Sequence, residues 1–229
     1  MGIRRLAIVP ARGGSKRLIG KNLRMLAGRA LINHTVDVAQ ACFDRVIVTS
    51  DSPSILAAVD GYPNVFRERR PAQLATDSSK AIDTVLHIFE ANNGDRFDQI
   101  WLCLPTCPLR TVQDVLDGQQ QLHRDIDGVV SITDFDFPPS LGLVIRDGAL
   151  EGLDSTHPLA RGDSRSQDQL PVFRPNGAFY GMWWDSFQKH RNYFRGRIKG
   201  CYMPRDRSVD IDQEVDLLLA ETLLALGRQ

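Results

Sequence analysis

The sequence predicts an α/β fold: one domain over residues 1–229 with a mostly parallel sheet, helices on both faces, and an inserted β-arm at about 135–180. Three observations predict it. Short apolar runs without polar alternation mark strands covered on both faces. Segments with helical periodicity alternate with them along the first 135 residues. After residue 135 that rhythm breaks into turns and a long polar stretch.

The elements follow in order. RLAIVPA (5–11) is a buried strand, and LINHTVDVAQACF (31–43) sets Leu31, Ile32, Thr35, Val36, Ala39 and Cys42 on one helical face. RVIVTSD (45–51) is a second strand. Ser52 is placed as an N-cap ahead of Pro53, opening SILAAVD as a helix. DSSKAIDTVLHIFEANNG (77–94) is a helix with Ile82, Val85, Leu86 and Phe89 on one face and Asn92-Asn93-Gly94 as its stop. QIWLCLP, TVQDVLDGQQQL and DGVVSITD continue as strand, helix and strand. Residues 137–153 form a hairpin turning on Asp147-Gly148. Residues 154–171 are a polar loop of a length that is usually functional or disordered. FRPNGAFYGMWW returns to strand, and DQEVDLLLAETLLAL closes the chain as a helix so rich in leucine that its flanks must be covered.

Lys plus Arg and Asp plus Glu are both 28, so the chain offers no overall basic field for nucleic acid. No apolar run is long enough for a membrane helix, and residues 1–10 resemble no secretory leader. Cys42, Cys103, Cys107 and Cys201 lack CxxC spacing and are expected to be reduced thiols of a cytoplasmic protein. The histidines show no ligand spacing; for His157, before a proline in the long loop, substrate contact is the lesser alternative to a structural role. Trp183 and Trp184 are expected to pack a core or a subunit interface.

An anion must then meet a local cluster, and PARGGSKR (10–17), directly behind the first strand, provides one. A strand feeding a glycine-rich turn presents backbone N–H groups to phosphate oxygens. Gly13 and Gly14 allow positive φ and close approach, while Arg12, Lys16 and Arg17 add charge. The spacing matches neither G-x-x-x-x-G-K-[ST] nor G-x-G-x-x-G. Near the other end, Asp210 and Asp212 of SVDIDQEVDL alternate along an extended run, so their carboxylates share a side and suit Mg²⁺ shared with phosphates. Asp212 also stands where it would cap the last helix.

Five ordered blocks carry a resemblance: AIVPARGGSKRLIGKNLRMLAGRALINHTV, RRPAQLATDSS, LPTCPLRT, FRPNGAFY and SVDIDQEVDL. Together they resemble the cytidylyltransferases that make CMP-activated sialic acids and related nonulosonic acids. The resemblance implies a Rossmann-like nucleotidyltransferase fold and attack by the anomeric hydroxyl of a 2-keto sugar acid on the α-phosphorus of CTP. CMP-sugar would form and pyrophosphate would leave. It also implies Mg²⁺ held by Asp210 and Asp212, either of which assists deprotonation, and a homodimer in which the arm reaches a neighbour's site. In that frame Arg12 and Lys21 match phosphate-contacting, catalytic cations, with Lys21 nearest the α-phosphate. Ala11, Gly13, Gly14, Ser15, Lys16 and Asn22 complete the nucleotide side. Arg70 matches the arginine that reads cytosine, with Ser79 beside it. Arg165 and Arg174 are the sugar-carboxylate partners, and Asn176 with Gly177 belongs to the sugar-facing strand.

Two departures stand out. Sialic-acid members commonly read QPTSPLR, so Leu104 replaces a polar residue near the sugar. A base-pocket hydroxyl residue is Ala81 here, which leaves Asp83 as the next polar side chain. Two other functions remain open: the same chemistry on a 3-deoxy-octulosonate, and a nucleotide-binding module without turnover. The first usually begins with a different loop, and the second has no need of an acid pair.

Overall fold

The computed structural model describes residues 2–76, 78–92, 97–153, 157–163 and 165–227. Asn93-Gly94, part of the expected helix stop, and residues 154–156 and 164 of the expected polar loop lie outside them.

The first half runs β1 (Arg5–Pro10), a small hairpin of β2 (Met25–Leu26) and β3 (Arg29–Ala30), α1 (Leu31–Cys42), β4 (Arg45–Ser50), α2 (Pro53–Ala58) and β5 (Val65–Arg69). It continues with α3 (Ala81–Ala91), β6 (Gln99–Leu102), α4 (Val112–Gln121) and β7 (Gly128–Asp134). Then come the hairpin β8 (Leu143–Arg146) and β9 (Ala149–Gly152), and β10 (Phe173–Trp183), α5 (Trp184–His190), β11 (Ile198–Tyr202) and α6 (Glu214–Ala225). Seven strands form the main sheet in the order β11-β7-β10-β6-β1-β4-β5. β1 pairs in parallel with β4 and β6, β4 with β5, and β11 with β7, whereas β10 runs antiparallel between β6 and β7.

The apolar runs become strands because both sheet faces are covered. Along β1, Ala7 and Val9 enter one core with Ile32, Val36, Ile55 and Val115 from α1, α2 and α4. Leu6 and Ile8 enter the opposite core with Val85, Ile88 and Phe187 from α3 and α5. The alternation of the strand therefore feeds two apolar layers, as a doubly covered sheet requires. Trp183 is buried in the core, and Trp184 is half-buried against it, stacking on Phe89 with ring centroids 4.6 Å apart.

The expected hairpin turns on Asp147 and Gly148, both at positive φ (49° and 81°) as a two-residue turn demands. Ser52 does precede α2, but its hydroxyl makes no capping bond. The cover expected over α6 is one-sided. Leu217 and Ala220 are buried against Leu26, Leu31 and Leu109, while Val215, Leu218, Leu219 and Leu226 are exposed.

Gly118 shows close packing overriding helix propensity. It lies within α4, where alanine is intrinsically favoured by about 1 kcal/mol. A Cβ there would stand 2.6 Å from Phe179 Cε2, and that ring is fully buried against Trp101. Overpacking of this kind costs about 1–3 kcal/mol. Gly118→Ala is therefore expected to lower stability in chemical denaturation; an unchanged or raised midpoint would show that Phe179 yields.

Candidate functional site

β1, β4 and β6 are parallel, so their C-terminal ends lie along one edge of the sheet. Chain order reverses at β1, which has β4 on one side and β6 on the other. Crevices at such switch points are where open α/β sheets bind ligands. A cavity of about 530 Å³ opens there, lined by Arg12, Ser15, Lys16 and Arg17 of the glycine loop and by Lys21 and Asn22 beyond it. Arg70, Thr76, Ser79, Lys80, Ala81 and Thr84 form another wall, and Leu104 and Thr106 contribute from the segment after β6 and Asp212 from the C-terminal segment. The size suits a small-molecule ligand.

The loop works differently from the sequence expectation. Neither Gly13 nor Gly14 has positive φ; Gly20 does, at 64°. Gly13 is needed for close approach, since a Cβ there would lie 3.0 Å from Ser52 Cβ, and its N–H donates to Asp51 Oδ1 at 2.8 Å. Nothing lies within 4 Å of a Cβ built on Gly14. Ala11 is buried and donates its N–H to the Thr49 carbonyl (3.0 Å), so it anchors the loop without lining the cavity. Asn22, also buried, donates from Nδ2 to the Arg12 carbonyl at 2.9 Å and thereby braces the loop.

Arg70 is 7% exposed. Its Nη2 donates to the Thr49 carbonyl at 2.7 Å, while its buried Nε has no partner. Burial lowers its pKa; Asp51 opposes that shift, Arg12 adds to it, and Glu68 opposes it. Buried donors are nearly always paired, so this unpaired atom sets Arg70 apart in the cavity wall. Ser79 Oγ lies 2.7 Å from Thr76 Oγ1 and donates to the Gln73 carbonyl (3.1 Å), closing the turn beside Arg70.

In the acid segment Val209 and Ile211 are buried, whereas Asp210 is exposed and Asp212 half-buried. Asp212 accepts from Lys21 Nζ at 2.9 Å and pairs with Arg17 at 2.8 Å. Asp210 borders a second cleft of about 410 Å³ together with Arg174, Arg205 and Leu219. Desolvation in that cleft raises the Asp210 carboxyl; a hydrogen bond from Thr106 opposes this, the Asp212 charge reinforces it, and Lys21 and Arg174 oppose it. Several contacts set the position of this segment. Arg207, just before it, makes a two-point ion pair with buried Asp114 (3.1 and 2.8 Å). Ile211 N–H donates to the Thr106 carbonyl (2.7 Å), and Asp216 accepts from the Asp212 N–H (2.9 Å).

Three sequence expectations are corrected, those on Asp83, Asn176 and Arg165. Asp83 caps α3 by accepting from Lys80 N–H (2.9 Å) and does not line the cavity. One residue further on, Thr84 does; it shares the face of Ala81 because residues three apart on a helix lie together. Asn176 does not face the sugar side, because its amide is enclosed: Nδ2 donates to Ser208 Oγ (2.8 Å) and Oδ1 accepts from Ala178 N–H (3.1 Å). Arg165 is exposed, pairs with Asp168 at 3.5 Å, and lies in a different cleft with Arg161. His157 is buried and bonded to the Gly142 carbonyl (2.9 Å), a structural role. Gly177, at φ 81°, stands behind Leu104, whose Cδ1 lies 3.3 Å from where a Cβ would be. Asp51, Thr106 and Asp114 escaped the sequence reading altogether.

Among the described residues, no group of three or more His, Cys, Asp or Glu is placed to hold a metal, and no helix is long and apolar enough to cross a membrane.

A family model described as cytidylyltransferase matches residues 6–160. The chain is 29% identical over 237 residues to CMP-N,N'-diacetyllegionaminic acid synthase of Legionella pneumophila, covering 99% of both chains. It is 29% identical over 224 residues to N-acylneuraminate cytidylyltransferase of Streptococcus agalactiae, covering 93% of this chain and 51% of the relative, so it spans about half of that protein's length. Among solved structures, CMP:2-keto-3-deoxy-manno-octonic acid synthetase complexed with CTP superposes with a TM-score of 0.67 at 20% identity, covering 98% of this chain and 99% of the other.

Proposed function

Because the chain belongs to the cytidylyltransferase family, we propose that it transfers CMP from CTP to a 2-keto-3-deoxy sugar acid of the nonulosonic type, releasing pyrophosphate. The observation that carries this reading is the cavity itself. Arg12, Lys16, Arg17 and Lys21 line it together with the buried Arg70. The relatives named for legionaminic and neuraminic acids support the sugar class.

In the reaction the sugar hydroxyl oxygen bonds to the α-phosphorus, the bond from that phosphorus to the bridging oxygen breaks, and pyrophosphate leaves with the electron pair. The hydroxyl proton passes to a carboxylate or to water. No covalent enzyme intermediate is needed, so the protein contributes orientation and charge. Lys21 and the loop cations neutralise the triphosphate, and Arg70 faces the base. Arg174 lines the Asp210 cleft and would meet the sugar carboxylate there, whereas Arg205 in the same cleft is paired with Asp136.

Mg²⁺ fits the donor set. Asp212 lines the nucleotide cavity and Asp210 the second cleft, two hard oxygen donors two residues apart that would hold the ion between them, and Mg²⁺ usually takes its remaining ligands from phosphates and water. It would supply charge neutralisation on the triphosphate. The exposed apolar residues of the arm, Ile145 and Leu150 among them, and the bare flank of α6 support a homodimer. The free thiols of Cys42, Cys103, Cys107 and Cys201 support a cytoplasmic protein.

Pyrophosphate release from CTP tests the reading on N-acetylneuraminate, N,N'-diacetyllegionaminate and a 3-deoxy-octulosonate. A nonulosonate should be turned over, with the deoxy, di-acylamino acid ahead of N-acetylneuraminate, because Leu104 offers the sugar side no hydrogen bond. An apolar wall discriminates by about 1–3 kcal/mol. Leu104→Gln should shift the ratio toward N-acetylneuraminate by roughly 10- to 200-fold. Turnover of none of the acids defeats the function; an unchanged ratio makes Leu104 a packing residue.

A further inference from the structure

The end of β4 serves both sides of the nucleotide cavity. The Thr49 carbonyl accepts from Ala11 N–H of the glycine loop (3.0 Å) and from Arg70 Nη2 (2.7 Å). The Ser50 carbonyl accepts from Arg70 N–H at 2.9 Å. Asp51, the next residue, accepts from Gly13 N–H at 2.8 Å. Three consecutive residues therefore hold the loop and the buried arginine together.

Burying a guanidinium demands a counter-charge. The charged groups that act on Arg70 are Asp51, Arg12 and Glu68. Arg12 repels it. Glu68 is the weaker counterion: burial raises its own carboxyl, one of its oxygens has no hydrogen-bond partner, and it already faces His87 at 3.7 Å. Asp51 remains, on the strand end that Arg70 itself is bonded to.

We infer that Asp51 is a positioning residue for base selection: its carboxylate keeps Arg70 inside the cavity while its bond to Gly13 ties that arginine to the phosphate loop. The inference rests on the reading of the cavity as a CTP site. Selection of the base would then depend on a residue that does not itself line the cavity.

Calorimetric titration of CTP and of UTP tests this without any sugar acid. Asp51→Asn retains an acceptor for Gly13 and removes only the charge. It is expected to reduce the CTP-over-UTP preference about tenfold. Its effect should not add to that of Arg70→Lys in the double variant, because the two residues act as a unit. Asp51→Glu keeps the charge on a longer stem and should retain the preference while weakening both nucleotides. The inference is overturned if Asp51→Asn keeps the wild-type preference, if it weakens CTP and UTP equally, or if Asp51→Glu loses the preference. The last criterion stands even if the asparagine variant does not fold. Wild-type protein that binds neither nucleotide would defeat the proposed function itself, an outcome distinct from these.

Discussion

Lys21→Met is expected to lower kcat/KM for CTP by about 10²- to 10³-fold, the usual cost of deleting one preorganised group aimed at developing charge. The Lys21 side chain is 14% exposed and its Nζ lies 2.9 Å from Asp212, so the ammonium is held in place before substrate arrives. Methionine keeps the apolar stem and removes the charge. Asp212 would still have Arg17 at 2.8 Å, so the melting temperature should move little. Steady-state pyrophosphate release with parallel thermal melts checks the prediction. A loss below about tenfold would make Lys21 only a counter-ion of Asp212, because charge aimed at a transition state is worth more than that.

Asp210→Asn and Asp212→Asn are each expected to reduce turnover about 10³-fold, with opposite effects on stability. Asp212 is the shared counter-charge of Lys21 and Arg17, and its loss leaves two cations facing each other. That variant should melt below wild type. Asp210 is a carboxylate crowded by its cleft and repelled by Asp212. Neutralising it relieves like-charge repulsion, so Asp210→Asn should melt no lower than wild type while losing activity. Activity of both variants near the wild-type level, or full wild-type activity in excess chelator, would remove the acid pair and its metal from the mechanism.

Much of the fold was legible because its signals are local. α1 buries Leu31, Ile32, Thr35, Val36 and Ala39 of the face that its periodicity picked out and leaves Cys42 half-buried, and β1 and β4 are the apolar runs they resembled. β5 was not legible: VFRER carries three charges in five residues, and as an edge strand it is never fully buried, so no apolar pattern marks it. The direction of β10 was equally hidden. Its antiparallel place between β6 and β7 is decided by where the chain re-enters the sheet after the arm, not by its composition.

In the site, local chemistry was again the legible part. The cation-rich glycine loop and the alternating acids were recognisable because their residue types and spacing are constrained by phosphate and metal chemistry, wherever the chain goes next. Helix phase then decided between Asp83 and Thr84, and burial removed Asn176 from the ligand side. Only the tertiary structure could join Lys21 to Asp212, 191 residues apart, or Arg207 to Asp114, 93 apart. It alone placed Arg70 against the end of β4. Such pairings depend on strand order and on which sheet edge collects the parallel C-termini. A sequence carries those long-range choices only in the sum of its packing, so they become visible once the two cores have formed.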